Sequence, residues 1–355
     1  MPYILAAAVE NPPHCIPQTK TAEFAKMLFS DSYSDIDRLM KVFVNGEIEN
    51  RYFAAPLDWF KQPKSLQEKN DLYIKTAIQL GKSCIENLMA ESGLNDLEAI
   101  DAIFFISSSG LATPSIEARL MNELPFSPHT KRIPVWGLGC AGGASGLARA
   151  HDYCKAYPKA NVIVLAVELC SLTFVHNDRS KSNLVGTSLF ADGCAAALIS
   201  GNESRLAADA SGIPEILDTL STLMPHSEDV MGWEIKDEGL HVVFSRDIPN
   251  IISTWLQPNV EKFLIPHQLT GRDIKHFIAH PGGKKVLQAY EEALGFESNR
   301  TEISRNVLRD HGNMSSATVL YVYREFAKQK PKSGEYGLIA ALGPGFSSEQ
   351  LLVRW

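Results

Sequence analysis

The feature that most constrains this chain is an internal repeat between its two halves. The segment 104–110 (FFISSSG) lies over 276–282 (HFIAHPG) at an offset of 172 residues, and in each an apolar run enters a loop of small residues. The segment 139–147 lies over 312–320 at an offset of 173 residues, and each is a tight loop that opens a helix. Because repeated units pack against one another, these nearly equal offsets predict a duplicated fold with two halves related by a pseudo-twofold axis.

Hydrophobic periodicity places apolar runs between amphipathic stretches in both halves. Helices are predicted at 66–89, 115–124, 144–157, 248–263, 284–294 and 315–328. Strands are predicted at 100–106, 133–138, 162–166, 195–199, 274–279 and 336–342. This alternation indicates a layered α/β fold. A polar stretch at 200–212 suggests the boundary between an N-terminal half, 1–200, and a C-terminal half, 201–355.

Composition excludes several classes of partner. The net charge of −7 and the pI of about 5.8 provide no basic surface for a nucleic acid. The start of the chain lacks a basic segment before a long apolar run, and no apolar stretch reaches the length of a membrane helix, so we expect a cytoplasmic protein without a transmembrane span. The six cysteines show no CxxC spacing, and neither a metal site nor a disulfide framework is predicted.

Cys140 is the candidate nucleophile. It follows a short predicted strand and precedes a helix, where the helix dipole and free N–H groups favour a thiolate. Its neighbours Gly139, Ala141, Gly142 and Gly143 leave space for a thioester and for a backbone oxyanion donor. The alternative is a buried structural thiol, which is the commoner state of a single free cysteine.

His280 and Asn313 are the candidate partners of Cys140. His280 ends an apolar strand in a loop of small residues, and its pKa suits proton exchange with a thiol. Asn313 opens a helix and provides uncharged donors, although an N-cap is the usual role of asparagine there. The repeat places Cys140 and Asn313 at equivalent positions beside one central site, and this favours the functional interpretation of all three residues.

Together these residues can perform an acyl condensation. Cys140 would accept an acyl group from a thioester, and His280 and Asn313 would stabilise the enolate that forms when malonyl-CoA loses carbon dioxide. Papain-like hydrolases use the same residue types in the same chain order, but the Cys-Gly-Ser-Cys-Trp signature is missing and no secretory leader is visible. A thiolase-fold binding protein without activity is a third hypothesis.

Five motifs resemble those of the type III polyketide synthases, the chalcone-synthase-like members of the thiolase superfamily. They are GLGCAGG at 137–143, LVGTSLFADG at 184–193, AHPGG at 279–283, HGNMSSAT at 311–318 and GPGF at 343–346. The resemblance covers essentially the whole chain and implies a thiolase-like α-β-α-β-α layered fold. A ketoacyl synthase III of fatty-acid synthesis shares the Cys-His-Asn set, but it is not expected to carry the HPGG and GPGF loops.

The resemblance also implies roles for individual residues. Cys140 resembles the acyl-carrying nucleophile, His280 and Asn313 the pair that orients malonyl-CoA, and Phe190 a gate between the CoA tunnel and the cavity. Val242 takes the place of the family's second gate phenylalanine, which predicts a wider passage. Thr113, Thr173, Gly345 and Phe346 are further predicted substrate-binding residues. Arg51 and Lys285 are predicted to bind the phosphates of CoA. Glu168, on an apolar strand, is interpreted as a hydrogen-bonded structural acid near the site.

The resemblance finally suggests a substrate class. Without the second gate aromatic and with small residues at Ala191 and Gly193, the chain resembles the bacterial members that extend a long acyl-CoA starter with malonyl-CoA to alkylpyrones or alkylresorcinols. The family implies a homodimer and no cofactor beyond the CoA thioesters themselves. A fatty-acid condensing enzyme of the ketoacyl synthase III type and a thioester hydrolase are the alternative functions.

Overall fold

The computed structural model describes residues 1–208, 212–245 and 247–355, so part of the predicted boundary at 200–212 lies outside the described residues. The strands are β1 (Tyr3–Glu10), β2 (His14–Pro17), β3 (Asn50–Phe53), β4 (Ala102–Ile106), β5 (Lys131–Val135), β6 (Asn161–Leu169), β7 (Asp192–Ser200), β8 (Glu215–Leu223), β9 (Met231–Lys236), β10 (Gly239–Phe244), β11 (Ile274–Ala279), β12 (Tyr336–Gly343) and β13 (Ser347–Arg354). The helices are α1 (Gln18–Phe29), α2 (Ile36–Leu39), α3 (Lys41–Asn45), α4 (Leu66–Ser92), α5 (Ile116–Leu120), α6 (Gly142–Ala156), α7 (Lys181–Leu189), α8 (Ile248–Ile251), α9 (Gln257–Leu264), α10 (Lys284–Leu294), α11 (Glu302–His311) and α12 (Thr318–Lys328).

The large sheet consists of two similar halves. Its strand order is β11-β12-β13-β8-β1-β7-β6-β4-β5. In the first half β1 pairs antiparallel with β7, β7 antiparallel with β6, and β6 parallel with β4. In the second half β8, β13, β12 and β11 repeat these directions in the same order. The halves meet where β1 touches β8 at Tyr3 and Glu215, which confirms the duplicated thiolase-like fold.

Alternate residues of the central strands belong to different hydrophobic cores. In β6, Val162, Val164 and Ala166 face the middle core with α6 and α12, whereas Ile163 and Leu165 face the outer core with α4. In the strands of the second half, residues also alternate between two cores. One set faces the middle core with α12, and the other faces an outer core with α9 and α10. Because both faces are covered, these strands appear in the sequence as continuous apolar runs. The layers are therefore α-β-α-β-α.

Local signals explain where the long outer helix begins and ends. Ser65 and Glu68 form a reciprocal capping box at the start of α4. The helix ends at Gly93, whose φ of 68° is the left-handed conformation that glycine adopts most easily. Among the described residues, no helix is long and apolar enough to cross a membrane.

The first turns of the two middle helices touch. A short 3₁₀ turn, Gly139–Ala141, leads into α6, and a second one, Ser315–Ala317, leads into α12. A Cβ atom built on Gly143 would lie 2.1 Å from the carbonyl oxygen of Ser316, so only glycine permits this approach. The contact brings the loops that carry Cys140 and Asn313 together.

We therefore expect Gly143→Ala to destabilise the protein by about 2–3 kcal/mol, because the added methyl group must push the two helices apart. The measurement is equilibrium unfolding in urea. The control is Gly232→Ala, at a position where a Cβ atom would have no neighbour within 4 Å. Equal stabilities of the two variants would contradict the proposed close contact.

Candidate active site

The structure brings Cys140, His280 and Asn313 to one cavity. Cys140 lies in the 3₁₀ turn before α6, His280 follows the end of β11, and Asn313 follows α11. The Cys140 thiol donates a hydrogen bond to Asn313 Oδ1 across 3.9 Å. Their side chains are nearly inaccessible, with exposed fractions of 8% for Cys140 and 2% each for His280 and Asn313. The sequence thus predicts correctly that these distant residues meet, while their chemical roles stay predictions.

Backbone contacts hold Asn313 in position. Its Nδ2 group donates to the carbonyl oxygen of Gly282 at 3.3 Å, and its Oδ1 atom accepts from the Ser315 N–H at 2.8 Å. Its main chain pairs with the end of α7. The Asn313 N–H donates to the carbonyl oxygen of Leu189, and the Ala191 N–H donates to the carbonyl oxygen of Asn313. The carboxamide is therefore fixed by both the HPGG loop and the segment that carries Phe190.

The His280 ring has unused hydrogen-bonding capacity. Within the described part of the chain, neither Nδ1 nor Nε2 has a hydrogen-bond partner, and both are buried. Burial lowers the pKa of His280 to about 3, so the imidazole is neutral at pH 7. A neutral imidazole can donate one hydrogen bond to a substrate oxygen and can accept a proton at its other nitrogen.

The structure corrects the expected ionisation of Cys140. The helix position predicts a thiolate, but burial raises the pKa of the Cys140 thiol to about 12, and hydrogen bonds with Ser315 and Asn313 oppose this only in part. Desolvation outweighs the helix dipole because the Cys140 side chain is buried. The resting site therefore contains a thiol and a neutral imidazole.

Glu168 joins the two halves beneath the site. Its carboxylate accepts from the Ser108 N–H at 3.0 Å, the Ser109 hydroxyl at 2.7 Å and the Ser316 hydroxyl at 2.6 Å. Ser108 in turn accepts from the N–H of Gly139, next to Cys140, at 3.0 Å. Burial raises the pKa of Glu168 despite these bonds. Glu168 is thus the hydrogen-bonded structural acid that the sequence suggests.

An aromatic wall replaces the wide passage that we expected at Val242. The Phe190 ring stacks on Phe244 with centroids 5.6 Å apart, and Trp233 packs against its side at 5.4 Å. Phe244 lies two residues after Val242 in β10, so both side chains are on the same face of the strand. The expectation of a wider passage is wrong because Phe244 occupies the space. The alternation in HVVF could have revealed this aromatic residue.

The wall separates two cavities of different size. The larger one has a volume of about 540 Å³ and contains Cys140, His280 and Asn313. Most of its other lining residues are apolar, namely Leu39, Val42, Leu184, Val185, Leu189, Met231, Phe244, Ile248, Pro249, Val286 and Leu342. The smaller one, beyond Phe190, measures about 50 Å³ and includes Thr173, Trp233 and Val242. Phe190, Thr173 and Val242 thus line the smaller cavity, and their roles in substrate binding stay predictions.

Arg51 is not placed to bind CoA phosphates, which corrects that prediction. Its side chain is only 1% exposed. The guanidinium Nη1 group donates to the carbonyl oxygens of Thr187 at 2.7 Å and Phe190 at 2.8 Å. These hydrogen bonds tie the Arg51 side chain, which comes from β3, to the end of α7. Arg51 therefore stabilises the backbone at Phe190 and does not face a CoA phosphate. Lys285, by contrast, is exposed at the rim of the larger cavity.

Three further predicted substrate-binding residues lie away from both cavities of the single chain. Thr113 is exposed on the loop before α5, because Pro114 and Ser115 carry the chain outward. Gly345 and Phe346 belong to the turn between β12 and β13, and Phe346 is fully buried against Trp255. The GPGF motif thus supports the core beside the site and does not form its surface.

The comparisons with known proteins agree on one family. Models of the chalcone and stilbene synthases match residues 2–203 with their N-terminal domain and residues 215–355 with their C-terminal domain. A chalcone synthase-like protein of Bacillus subtilis (strain 168) is 51% identical over 100% of this chain and 99% of its own length. The 1,3,6,8-tetrahydroxynaphthalene synthase of Streptomyces peucetius subsp. caesius is 34% identical over 99% of this chain and 93% of its own length.

Solved structures give the same result. The crystal structure of 1,3,6,8-tetrahydroxynaphthalene synthase from Streptomyces coelicolor A3(2), a bacterial type III polyketide synthase, aligns with a TM-score of 0.93. The alignment covers 99% of both chains at 28% identity. A polyketide synthase from the brown alga Ectocarpus siliculosus aligns with a TM-score of 0.92 over 99% of this chain and 98% of its own, at 26% identity.

The ionisation of Cys140 gives a testable pH dependence. We expect its alkylation by iodoacetamide to rise about tenfold per pH unit from pH 7 to pH 9, because a thiol with a pKa of about 12 never reaches its thiolate plateau in this range. Mass spectrometry of the Cys140 peptide measures the rate, and Cys140→Ala identifies that peptide. A plateau below pH 8 would show a thiolate–imidazolium pair instead.

Proposed function

The chain belongs to the chalcone and stilbene synthase family of type III polyketide synthases, and we propose that it extends a long-chain acyl-CoA starter with malonyl-CoA to an alkylpyrone or alkylresorcinol. One observation carries the assignment of the chemistry. Cys140, His280 and Asn313 line a single, mostly apolar cavity of about 540 Å³. Such a cavity can hold two thioesters in succession and excludes water from the reacting carbon.

The first step loads the acyl group. The Cys140 sulfur attacks the carbonyl carbon of the starter thioester while its proton passes to neutral His280. The new carbon–sulfur bond forms, the bond to the CoA sulfur breaks, and His280 returns the proton to the departing CoA thiolate. Because the thiol has a raised pKa, proton transfer accompanies the attack and does not precede it.

The second step forms the new carbon–carbon bond. Malonyl-CoA binds with its thioester oxygen toward His280 and Asn313, and cleavage of its carboxylate bond releases carbon dioxide and leaves an enolate. The enolate carbon attacks the acyl carbonyl carbon on Cys140, the bond to the Cys140 sulfur breaks, and the thiolate takes up one proton from solvent. The product is a β-ketoacyl-CoA two carbons longer than the starter. Neutral donors, His280 and Asn313, stabilise the negative charge of the enolate. We therefore propose that no metal or further cofactor is needed.

The apolar cavity wall supports a long starter. Its aliphatic residues come from α2, α3, α7, α8, α10 and β12, and each methylene group that leaves water adds about 0.8 kcal/mol of binding free energy. The charged lining residues, Lys181 and Lys285, are outnumbered by these apolar side chains, which favour an alkyl chain over a short polar acid. Ring closure to a lactone or to an aromatic ring follows after two or three extensions.

We further propose that the protein acts as a homodimer that associates through its N-terminal half. Strand β5 is the edge strand of the large sheet in the N-terminal half, and Trp136, which follows it, is 49% exposed. An edge strand and an exposed indole are surfaces that association would cover.

Product analysis tests the condensing function. With malonyl-CoA and acyl-CoA starters of increasing length, mass spectrometry is expected to show products gaining two-carbon units, with the highest yield from long starters. Cys140→Ala should abolish these products but leave some malonyl-CoA decarboxylation, because His280 and Asn313 remain. Cys15→Ala, an exposed cysteine outside both cavities, is the matched control. Full product formation by Cys140→Ala would reject the nucleophile, and free acid alone would indicate a hydrolase.

The aromatic wall predicts a change of starter preference. Phe244→Leu removes a ring that stacks on Phe190, so the larger cavity gains space toward the smaller one. We expect the optimal starter to lengthen by about two methylene groups. The ratio kcat/KM across the acyl-CoA series measures this. Phe326→Leu, a buried aromatic outside both cavities, should leave the optimum unchanged, and an equal shift in both variants would contradict the role of the wall.

A further inference from the structure

Tyr290 is a buried tyrosine at the catalytic cavity whose hydroxyl group has no hydrogen-bond partner among the described residues. It lies on α10 and lines the larger cavity together with Cys140 and His280. Its side chain is fully buried, yet its hydroxyl has no hydrogen-bond partner in the described part of the chain. Its ring packs edge-on against Phe277 with centroids 5.3 Å apart, which limits its rotation. The orientation of the hydroxyl is therefore set by the core.

The other buried tyrosines behave differently. Tyr73 donates to the Ser107 hydroxyl at 2.8 Å, Tyr321 to the Glu10 carbonyl at 2.8 Å and Tyr323 to the Ile4 carbonyl at 3.2 Å. Buried hydroxyls in folded proteins are normally paired in this way. Tyr290 is the buried tyrosine that lacks such a partner within 1–208, 212–245 and 247–355, and it is also the one that lines the catalytic cavity.

The chemistry of the cavity indicates what this hydroxyl would bind. Burial raises the pKa of Tyr290, so the phenol is a neutral donor that suits an uncharged carbonyl oxygen. The thioester oxygen of malonyl-CoA already has His280 and Asn313 as donors. An alkyl starter has no other oxygen, whereas every intermediate after the first condensation carries a β-keto oxygen. A further donor in an apolar wall is useful only for that additional oxygen.

We propose that the Tyr290 hydroxyl donates a hydrogen bond to the β-keto oxygen of the extended acyl intermediates and thereby promotes the later condensations. The inference rests on the proposed condensing function. It makes Tyr290 a substrate-contacting residue that determines the number of extensions. Acylation of Cys140 and decarboxylation of malonyl-CoA do not involve it.

Tyr290→Phe tests this role because it removes one oxygen atom and keeps the ring that packs on Phe277. We expect the ratio of products with two or more added units to products with one unit to fall about three- to tenfold, the effect of one neutral hydrogen bond. The rate of malonyl-CoA decarboxylation and the acylation of Cys140 should stay within about twofold of the wild-type values. Mass spectrometry quantifies the products and the acylated peptide.

Tyr323→Phe is the matched control, because it also deletes a buried tyrosine hydroxyl but lies outside both cavities. An unchanged product ratio in Tyr290→Phe, or an equal change in Tyr323→Phe, would overturn the inference. Loss of decarboxylation in Tyr290→Phe would also overturn it, since the hydroxyl would then act on malonyl-CoA. A wild-type protein that forms no polyketide would reject the proposed function itself, whereas active wild type with an unaffected variant rejects only the role of Tyr290.

Discussion

The contact between the first turns of α6 and α12 sets the geometry of the whole site. Gly143 lies so close to the Ser316 carbonyl that no side chain fits between them, and this distance places Cys140 within reach of Asn313. Glu168 reinforces the same junction by accepting hydrogen bonds from the Ser316 hydroxyl and from the N–H of Ser108, whose own hydroxyl accepts from the Gly139 N–H. Because each loop belongs to a different half, the site exists only when the two halves are packed together. Folding of the middle layer and assembly of the site are thus one event.

Burial explains why this site can remain neutral and still be reactive. It raises the pKa of the Cys140 thiol and lowers that of His280, so the pair bears no net charge before a substrate arrives. In the proposed mechanism, charge develops on the thioester oxygen when a thioester is attacked or malonyl-CoA loses carbon dioxide. Donors that are already fixed in place stabilise such developing charge more than water can, because they need no reorganisation.

The sequence predicts the duplicated parts of this protein better than the parts between them. The repeat locates Cys140, Asn313 and the layered fold, and it gives β11 and α10 with their observed ends. Even within the duplicated sheet the predicted set omits β1, β8 and β13, and polar residues interrupt the apolar runs of β8 and β13. The assignment of Arg51 to CoA phosphates is wrong because its burial depends on elements distant in sequence, whereas the role of Thr113 stays a prediction. Such contacts leave no local pattern.

The segments outside the repeat decide what the site accepts. Between β1 and β4 the chain forms α1–α3, and between β8 and β11 it forms the β9–β10 hairpin and α8. These insertions provide Leu39, Phe244 and Ile248, which line the catalytic cavity. The elements of the two repeated halves position Cys140, His280 and Asn313. The inserted segments can change in sequence without moving these three residues. Substrate range can therefore vary within one fold while the chemistry stays constant.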